Sequence, residues 1–189
     1  MASVVDICNR ALFKIGEKPI TALTDSNPRA VACNLWYEGV RDSLLRENPG
    51  NWNFALKRAE LTVSETTPTF EWTYQYPLPT DCLRVVSLYE SDENGDWEIE
   101  GGNLLTDWST ANIKYVAQIT DTTDFDPMFI DCLVCRLASE ICLNLTDDEG
   151  KRQAAQQEYA YWLRKAKAAD GAGETSSPVD SNNYWSERQ

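Results

Sequence analysis

Not one histidine occurs in this chain. That absence removes Ser–His and Cys–His nucleophile pairs, along with every metal arrangement that draws on imidazole. There is no G-x-x-x-x-G-K-[ST] stretch and no G-x-G-x-x-G between strand and helix, so the loops that cradle nucleotide phosphates are missing too. No run of about eighteen uninterrupted apolar residues is present, and no segment reads as a membrane-crossing helix. The start, Met1-Ala2-Ser3-Val4-Val5-Asp6, has no basic stretch ahead of an apolar one, which reads against a secretory signal. Without such a signal the six cysteines (Cys8, Cys33, Cys82, Cys132, Cys135 and Cys142) are expected to be reduced, buried and hydrophobic in behaviour.

Basic residues are also scarce. Lys and Arg total 17 against 30 Asp and Glu, for a net charge of −13 and a pI near 4.4. Such a chain is repelled by phosphate backbones, because nucleic-acid affinity comes mainly from cations that displace counterions. The acidity has two readings: solubility, or a surface that faces DNA without sticking to it.

What is present suits one domain, or one domain with a small inserted lobe: 189 residues, 42% of them hydrophobic. Ser3 with Asp6 three residues on marks a helix start, followed by a stripe of Val4, Cys8, Ala11, Leu12 and Ile15. Gly16 stands where a left-handed C-terminal cap is wanted, and Pro19 blocks a restart. Ile20 to Leu23 reads as a connector laid across a core. Asn27-Pro28 opens a second helix with a stripe of Val31, Leu35, Trp36, Val40 and Leu44, Arg41 and Arg46 facing elsewhere, and Asn48-Pro49-Gly50 as its stop.

The period then changes to two. Trp52, Phe54 and Leu56 alternate with Asn53, Ala55 and Lys57, and Phe70, Trp72, Tyr74 and Tyr76 repeat the pattern. Further strands are expected at Leu83–Tyr89, Trp97–Glu100 and Ile113–Ile119, with hairpin turns at Asn94-Gly95 and Gly101-Gly102-Asn103. Asp126-Pro127 starts a third helix that is apolar on nearly every side from Met128 to Leu145, as a helix buried by neighbours must be. Thr146-Asp147-Asp148-Glu149 reads as a capping box for a fourth helix with Ala155, Tyr159, Trp162 and Ala166 on one face. The polar tail after Gly173 carries Tyr184-Trp185, read as an anchor that orders on a partner.

Candidate chemistry is thin. Cys132-Leu133-Val134-Cys135 has C-x-x-C spacing, yet it falls in the buried helix without a second pair, so it reads as core. The acidic pairs Asp92/Glu93, Asp147/Asp148 and Glu98/Glu100 fall in turns and exposed strand positions, and no spacing matches an EF-hand loop. No catalytic residue, metal ligand or cofactor site is assigned. Seven tryptophans and eight tyrosines divide between core and interface readings, because Trp and Tyr are favoured in both.

Four stretches in order carry a resemblance: "ALFKIGEKPITAL", an Asn-Pro-capped helix ending "RDSLLREN", "NWNFALKRAEL" and "YQYPLPTDCLRVV". Together with "IKYVAQITDTTDFDPMFIDCLVCRLASEICLNLT", they make the chain from about Val4 to Ala169 resemble the tail tubular protein A family, the head-to-tail adaptors of podovirus-type phages. The family commonly places proline directly before Trp-Asn-Phe-Ala, whereas Gly50 and Asn51 intervene here, so the entry into the first strand differs.

The resemblance implies a non-enzymatic virion protein at the head–tail junction, assembled in the bacterial cytoplasm. It implies a homo-oligomeric ring, twelvefold, docked beneath the portal protein ring and receiving tail nozzle (tubular protein B-like) or needle proteins below. DNA would pass through its channel during ejection without specific binding, and no membrane is involved. The motif residues are Gly16, Pro19, Trp52, Phe54, Pro79, Asp81 and Arg84. Pro77 and Pro79 are expected to hold the chain extended and end its pairing. Asp81 is expected to cap the local turn and Arg84 to meet an acidic neighbour, unless both are simply solvated. Alternatives are a tail-completion or stopper protein below the adaptor and, from a different class, a carboxylate-dependent tail-associated hydrolase.

The expected fold class is α+β, mainly α: a bundle of about four helices from 1–50 and 126–169, with a small antiparallel β region, 51–125, inserted between helix 2 and helix 3. Residues 170–189 are expected to form a flexible C-terminal tail.

Overall fold

Ser3 and Asp6 begin the first helix as their spacing predicts. In the computed structural model, which describes residues 2–47, 52–89 and 96–171, the Asp6 amide donates to Ser3 Oγ at 3.1 Å and the Ser3 amide donates to the Asp6 carboxylate at 2.9 Å. This reciprocal capping box satisfies two amides that the first turn cannot. Helix α1 (Val4–Lys14) then buries Ile7, Cys8, Ala11 and Leu12. It ends in a Schellman motif: Gly16 N–H donates to Phe13 O at 3.1 Å and Glu17 N–H to Leu12 O at 2.9 Å. Gly16 has φ +79°, a conformation that glycine adopts without a Cβ clash. The connector is held by Asn9, whose side chain both accepts from Ile20 N–H (2.8 Å) and donates to Ile20 O (3.0 Å), and Ile20 is buried.

Helix α2 (Pro28–Glu47) is capped by Asn27, whose Oδ1 accepts from Ala30 N–H at 3.0 Å. Its apolar stripe differs from the expected one. Val40 and Leu44 are buried, but Val31 and Leu35 are 58% and 74% exposed, and Trp36 lies at the surface. The step from Leu35 to Val40 turns the helix by about 140°, so these residues form two stripes rather than one. The inward face is completed by Ala30, Cys33, Tyr37 and Arg41.

Arg41 therefore does not face away; it is 4% exposed. Its Nε donates to Asp42 Oδ1 at 2.8 Å and its guanidinium lies 5.9 Å from the Tyr37 ring centre. Asp42 also accepts from Gln118 Nε2 at 2.7 Å. A buried cation needs such partners to offset its lost hydration.

Helix α3 (Pro127–Thr146) starts on Asp126, whose Oδ1 accepts from Met128 N–H at 2.7 Å. Its interior residues are buried almost all round, because α1, α2 and α4 (Glu149–Gly171) all pack on it. The cap of α4 is Asp148, which accepts from Lys151 N–H at 3.1 Å. Thr146 is not the cap as expected; it is the last residue of α3, and its hydroxyl donates back to Cys142 O at 2.9 Å. Ala155 and Ala166 of α4 are buried, with Tyr159 and Trp162 half-buried beside them. Ion pairs Arg10–Asp131 and Lys14–Glu158 link α1 to α3 and α4.

The chain between α2 and α3 forms two antiparallel three-stranded sheets, so the fold is α+β and helix-rich. The first sheet comprises β1 (Leu56–Leu61) and β3 (Cys82–Tyr89) on either side of β6 (Ala111–Ala117). Leu56 pairs with Val116 and Cys82 with Ala117, and β3 has register irregularities between Cys82 and Arg84 and between Val85 and Ser87. In the second sheet β5 (Asn103–Thr106) is central, flanked by β2 (Tyr74–Pro77) and β4 (Trp97–Glu100). Gly101 and Gly102, with φ +55° and +83°, make the two-residue turn between β4 and β5. The expected turn at Asn94-Gly95 lies outside the described residues.

Two expected strand segments are not strands. Asn53–Ala55 is a 3-10 turn, and pairing begins only at Leu56. The reason is aromatic burial. Trp52 and Phe54 both turn onto Phe129 of α3, at ring-centre distances of 5.1 and 5.2 Å, and Phe125 closes on Phe129 at 5.0 Å. The Trp52 Nε1–H donates to Leu44 O at 3.2 Å near the end of α2. Likewise Phe70 and Trp72 precede β2: Trp72 N–H donates to Phe70 O at 2.9 Å across Glu71, whose φ is +73°. That γ-turn breaks the extended run and leaves Phe70 77% exposed.

Replacing Gly16 by Ala should cost about 1–2 kcal/mol, the strain of a left-handed non-glycine residue. The new Cβ would also come within 3.2 Å of Lys151 Nζ, which donates to Ile15 O at 2.8 Å. Urea unfolding of Gly16→Ala against the parent measures this, and a wild-type midpoint would contradict it.

Candidate functional site

The motif residues lie at joints of the fold. Gly16 closes α1, and Pro19 is exposed in the connector that follows. Trp52 and Phe54 clasp α3. Pro77 ends β2 opposite Asn103, and Leu78 N–H makes one further bond to Gly102 O at 3.0 Å. Pro79 O accepts from Cys82 N–H at 2.9 Å in the turn that leads into β3.

Asp81 does not use its side chain as a local cap. Its carboxylate spans two strands, accepting from Lys57 Nζ at 2.8 Å and from the Tyr115 hydroxyl at 3.1 Å. The Lys57 hydrogen bond holds its pKa below the ordinary 3.8. Burial, then the Asp81 charge, push Tyr115 up to about 12. Arg84 is half-buried in β3, opposite Val116. Tyr184 and Trp185 lie outside the described residues, as do Asp92 and Glu93.

Cys132 and Cys135 sit inside α3. Burial pushes their thiols up to about 12 and about 11, away from the thiolate form that redox or metal chemistry needs. Cys82 is half-buried and the other five cysteines are buried; all six are free of disulfides. Among the described residues, no group of three or more Cys, Asp or Glu side chains is arranged to hold a metal ion. Asp147 and Asp148 act as helix punctuation: Asp147, with φ +50°, terminates α3 and Asp148 caps α4.

Two surface features were not legible as sites. The first is the outward face of α2, where Val31 and Leu35 stand one turn apart and a side chain at Gly39 would meet open space. The second is an open cleft of about 810 Å3 on the second sheet. Its walls carry three half-buried indoles, Trp72, Trp97 and Trp108, and four exposed carboxylates, Glu71, Asp96, Glu98 and Asp107. Asp107 fixes one wall by accepting from the Thr73 amide (2.9 Å) and hydroxyl (2.7 Å). A neighbouring cleft of about 460 Å3 shares Glu71 and Trp72 and extends to Phe70 and Glu100. The sequence signal for the cleft was a density of Trp and acid around residues 71–108, but it is scattered over one strand, β4, and the loops before β2, before β4 and after β5.

No protein-family model matches this chain, and no curated protein is significantly similar to it.

Because Asp81 has a depressed pKa in the folded state, its pairing contributes stability above pH 3.8, and that contribution is lost as pH falls through the folded value. Asp81→Asn should therefore be less stable at neutral pH, by under about 1 kcal/mol for a partly exposed pair. The difference should close in acid. Paired urea titrations across pH check this, and a gap that persists unchanged at low pH would contradict it.

Proposed function

We propose that this chain is a structural virion protein of a tailed phage, a head-to-tail adaptor whose copies form a ring beneath the portal. In this role the ring extends the DNA channel and receives the nozzle or needle proteins on its far side, twelve copies matching the portal. The observation that carries the reading is the ordered set of motifs from "ALFKIGEKPITAL" to "YQYPLPTDCLRVV", spanning most of the chain.

Two features of the surface support it. The outward Val31–Leu35 face of α2, with Trp36 at its edge, leaves apolar area in water. Covering such area is what drives subunit association, at about 25 cal/mol for each Å2 removed from water. The occupant of that face is a neighbouring copy in the ring. The net charge of −13 supports a channel wall past which DNA slides, since like charge offers phosphate no counterion-releasing contact. Enzymatic chemistry forms no part of the proposal.

Mixing the purified protein with its phage's portal ring and weighing the product by native mass spectrometry tests the reading. A discrete complex with many copies per portal is expected, and Leu35→Glu should reduce the copy number or abolish assembly. Absence of any complex would overturn the adaptor role in favour of a stopper that binds further down the tail.

A further inference from the structure

The second sheet's cleft gathers three tryptophans, none with a cation over its ring among the described residues. Four other partly or fully exposed rings, all outside the cleft, do lie under cations of the protein itself. Arg58 lies 5.5 Å from the Tyr89 ring centre, Arg136 5.5 Å from Tyr159, and Lys165 5.0 and 5.3 Å from Tyr161 and Trp162. Among the described residues no Lys or Arg does this for Trp72, Trp97 or Trp108, and none forms an ion pair with Glu71, Asp96, Glu98 or Asp107. Three indole side chains and four carboxylates without an ion pair among the described residues thus line one open cleft.

Both groups attract the same kind of ligand. An indole face carries negative quadrupole density and holds a cation by about 0.5–2 kcal/mol depending on desolvation. The carboxylates repel one another in a protein already of charge −13, and a bound cation relieves that repulsion. Sugar sites also stack on tryptophan, but a sugar hydroxyl needs donors as well as acceptors. Among the described residues that line this cleft, the side-chain acceptors are all carboxylates and the only side-chain donors are indole N–H groups.

The shape selects a chain over a small ion. A second cleft adjoins the first, sharing Glu71 and Trp72 and lined also by Phe70, whose ring is exposed. Strand β4, which supplies Trp97 and Glu98, is at the edge of its sheet, with no partner on its outer side among the described residues. An extended peptide can pair with such an edge and place alternate side chains on one face.

We infer that this cleft binds an extended basic segment of a protein partner, with arginine or lysine side chains seated on Trp72, Trp97 and Trp108 and held by Glu71, Asp96 and Glu98. Asp107 positions the loop through Thr73 and contributes charge. The site stands apart from the ring-assembly proposal, because it needs neither a portal nor a second copy.

The test is an NMR titration of the full chain, following the seven indole N–H signals assigned with single Trp→Phe variants. The probe is an end-capped decapeptide of alternating arginine and serine, with the glutamate–serine peptide, spermidine and maltohexaose as comparisons. The arginine peptide should shift the Trp72, Trp97 and Trp108 signals saturably and leave the other four still. Asp96→Asn combined with Glu98→Gln should weaken binding at least about tenfold and flatten its salt dependence, while undisturbed signals elsewhere show that the fold is intact. The inference is overturned if no signal moves, if other indoles move instead, or if the double variant binds as tightly. Equal binding of the glutamate peptide, spermidine or maltohexaose also overturns it.

Discussion

The Phe129 ring is the point on which the two halves of the chain depend. Trp52 and Phe54 reach it as the chain leaves the first pair of helices, and Phe125 reaches it as the chain returns from the sheets. The insertion between α2 and α3 is thus clasped at both ends by rings packed edge-on against a single buried phenylalanine. Such contacts each contribute about 0.5–1.5 kcal/mol beyond simple burial. The indole bond from Trp52 to Leu44 O carries the same clasp into α2. The Arg46 guanidinium adds a second tie, donating to Leu83 O of β3 at 2.7 Å.

Helix α3 makes the clasp rigid. It is buried nearly all round because α1, α2 and α4 each lay a face on it, so Phe129 cannot move without moving the bundle. The Arg41–Asp42–Gln118 hydrogen bonds repeat the connection from α2 to the end of β6 through polar groups. One hydrophobic core runs through helices and first sheet as a result, and reaches Tyr76 and Leu104 of the second. The α2 face and the second sheet's cleft, on which the two proposals rest, lie at the surface of that core.

Much of this order was legible in the sequence, because local chemistry decides it. The Ser3–Asp6 box, the Gly16 stop, the Asn27-Pro28 and Asp126-Pro127 starts and the Gly101-Gly102 turn each follow from groups within a few residues. Readings failed where distant partners decide. The alternation at Trp52–Lys57 looked like a strand, but Phe129 lies more than seventy residues further along and draws both aromatics to one side. Arg41 read as a surface cation because nothing nearby in sequence announces Gln118 behind Asp42. Ala30, Cys33 and Tyr37 were passed over as an inward face, being less conspicuous than Val31 and Leu35, which point to water. The cleft was invisible for the same reason: its walls come from three separated segments, and each tryptophan alone reads as core.

The claim that one buried helix anchors the whole molecule is tested most directly by native-state hydrogen exchange in increasing denaturant. The account predicts that amides in the middle of α3, around Leu133 to Ser139, exchange only through global unfolding. Amides of β4 and β5, on the sheet farther from the clasp in contact terms, should open at lower free energy while α3 stays protected. Exchange from α3 as early as from β4, or a second sheet that outlasts α3, would contradict it.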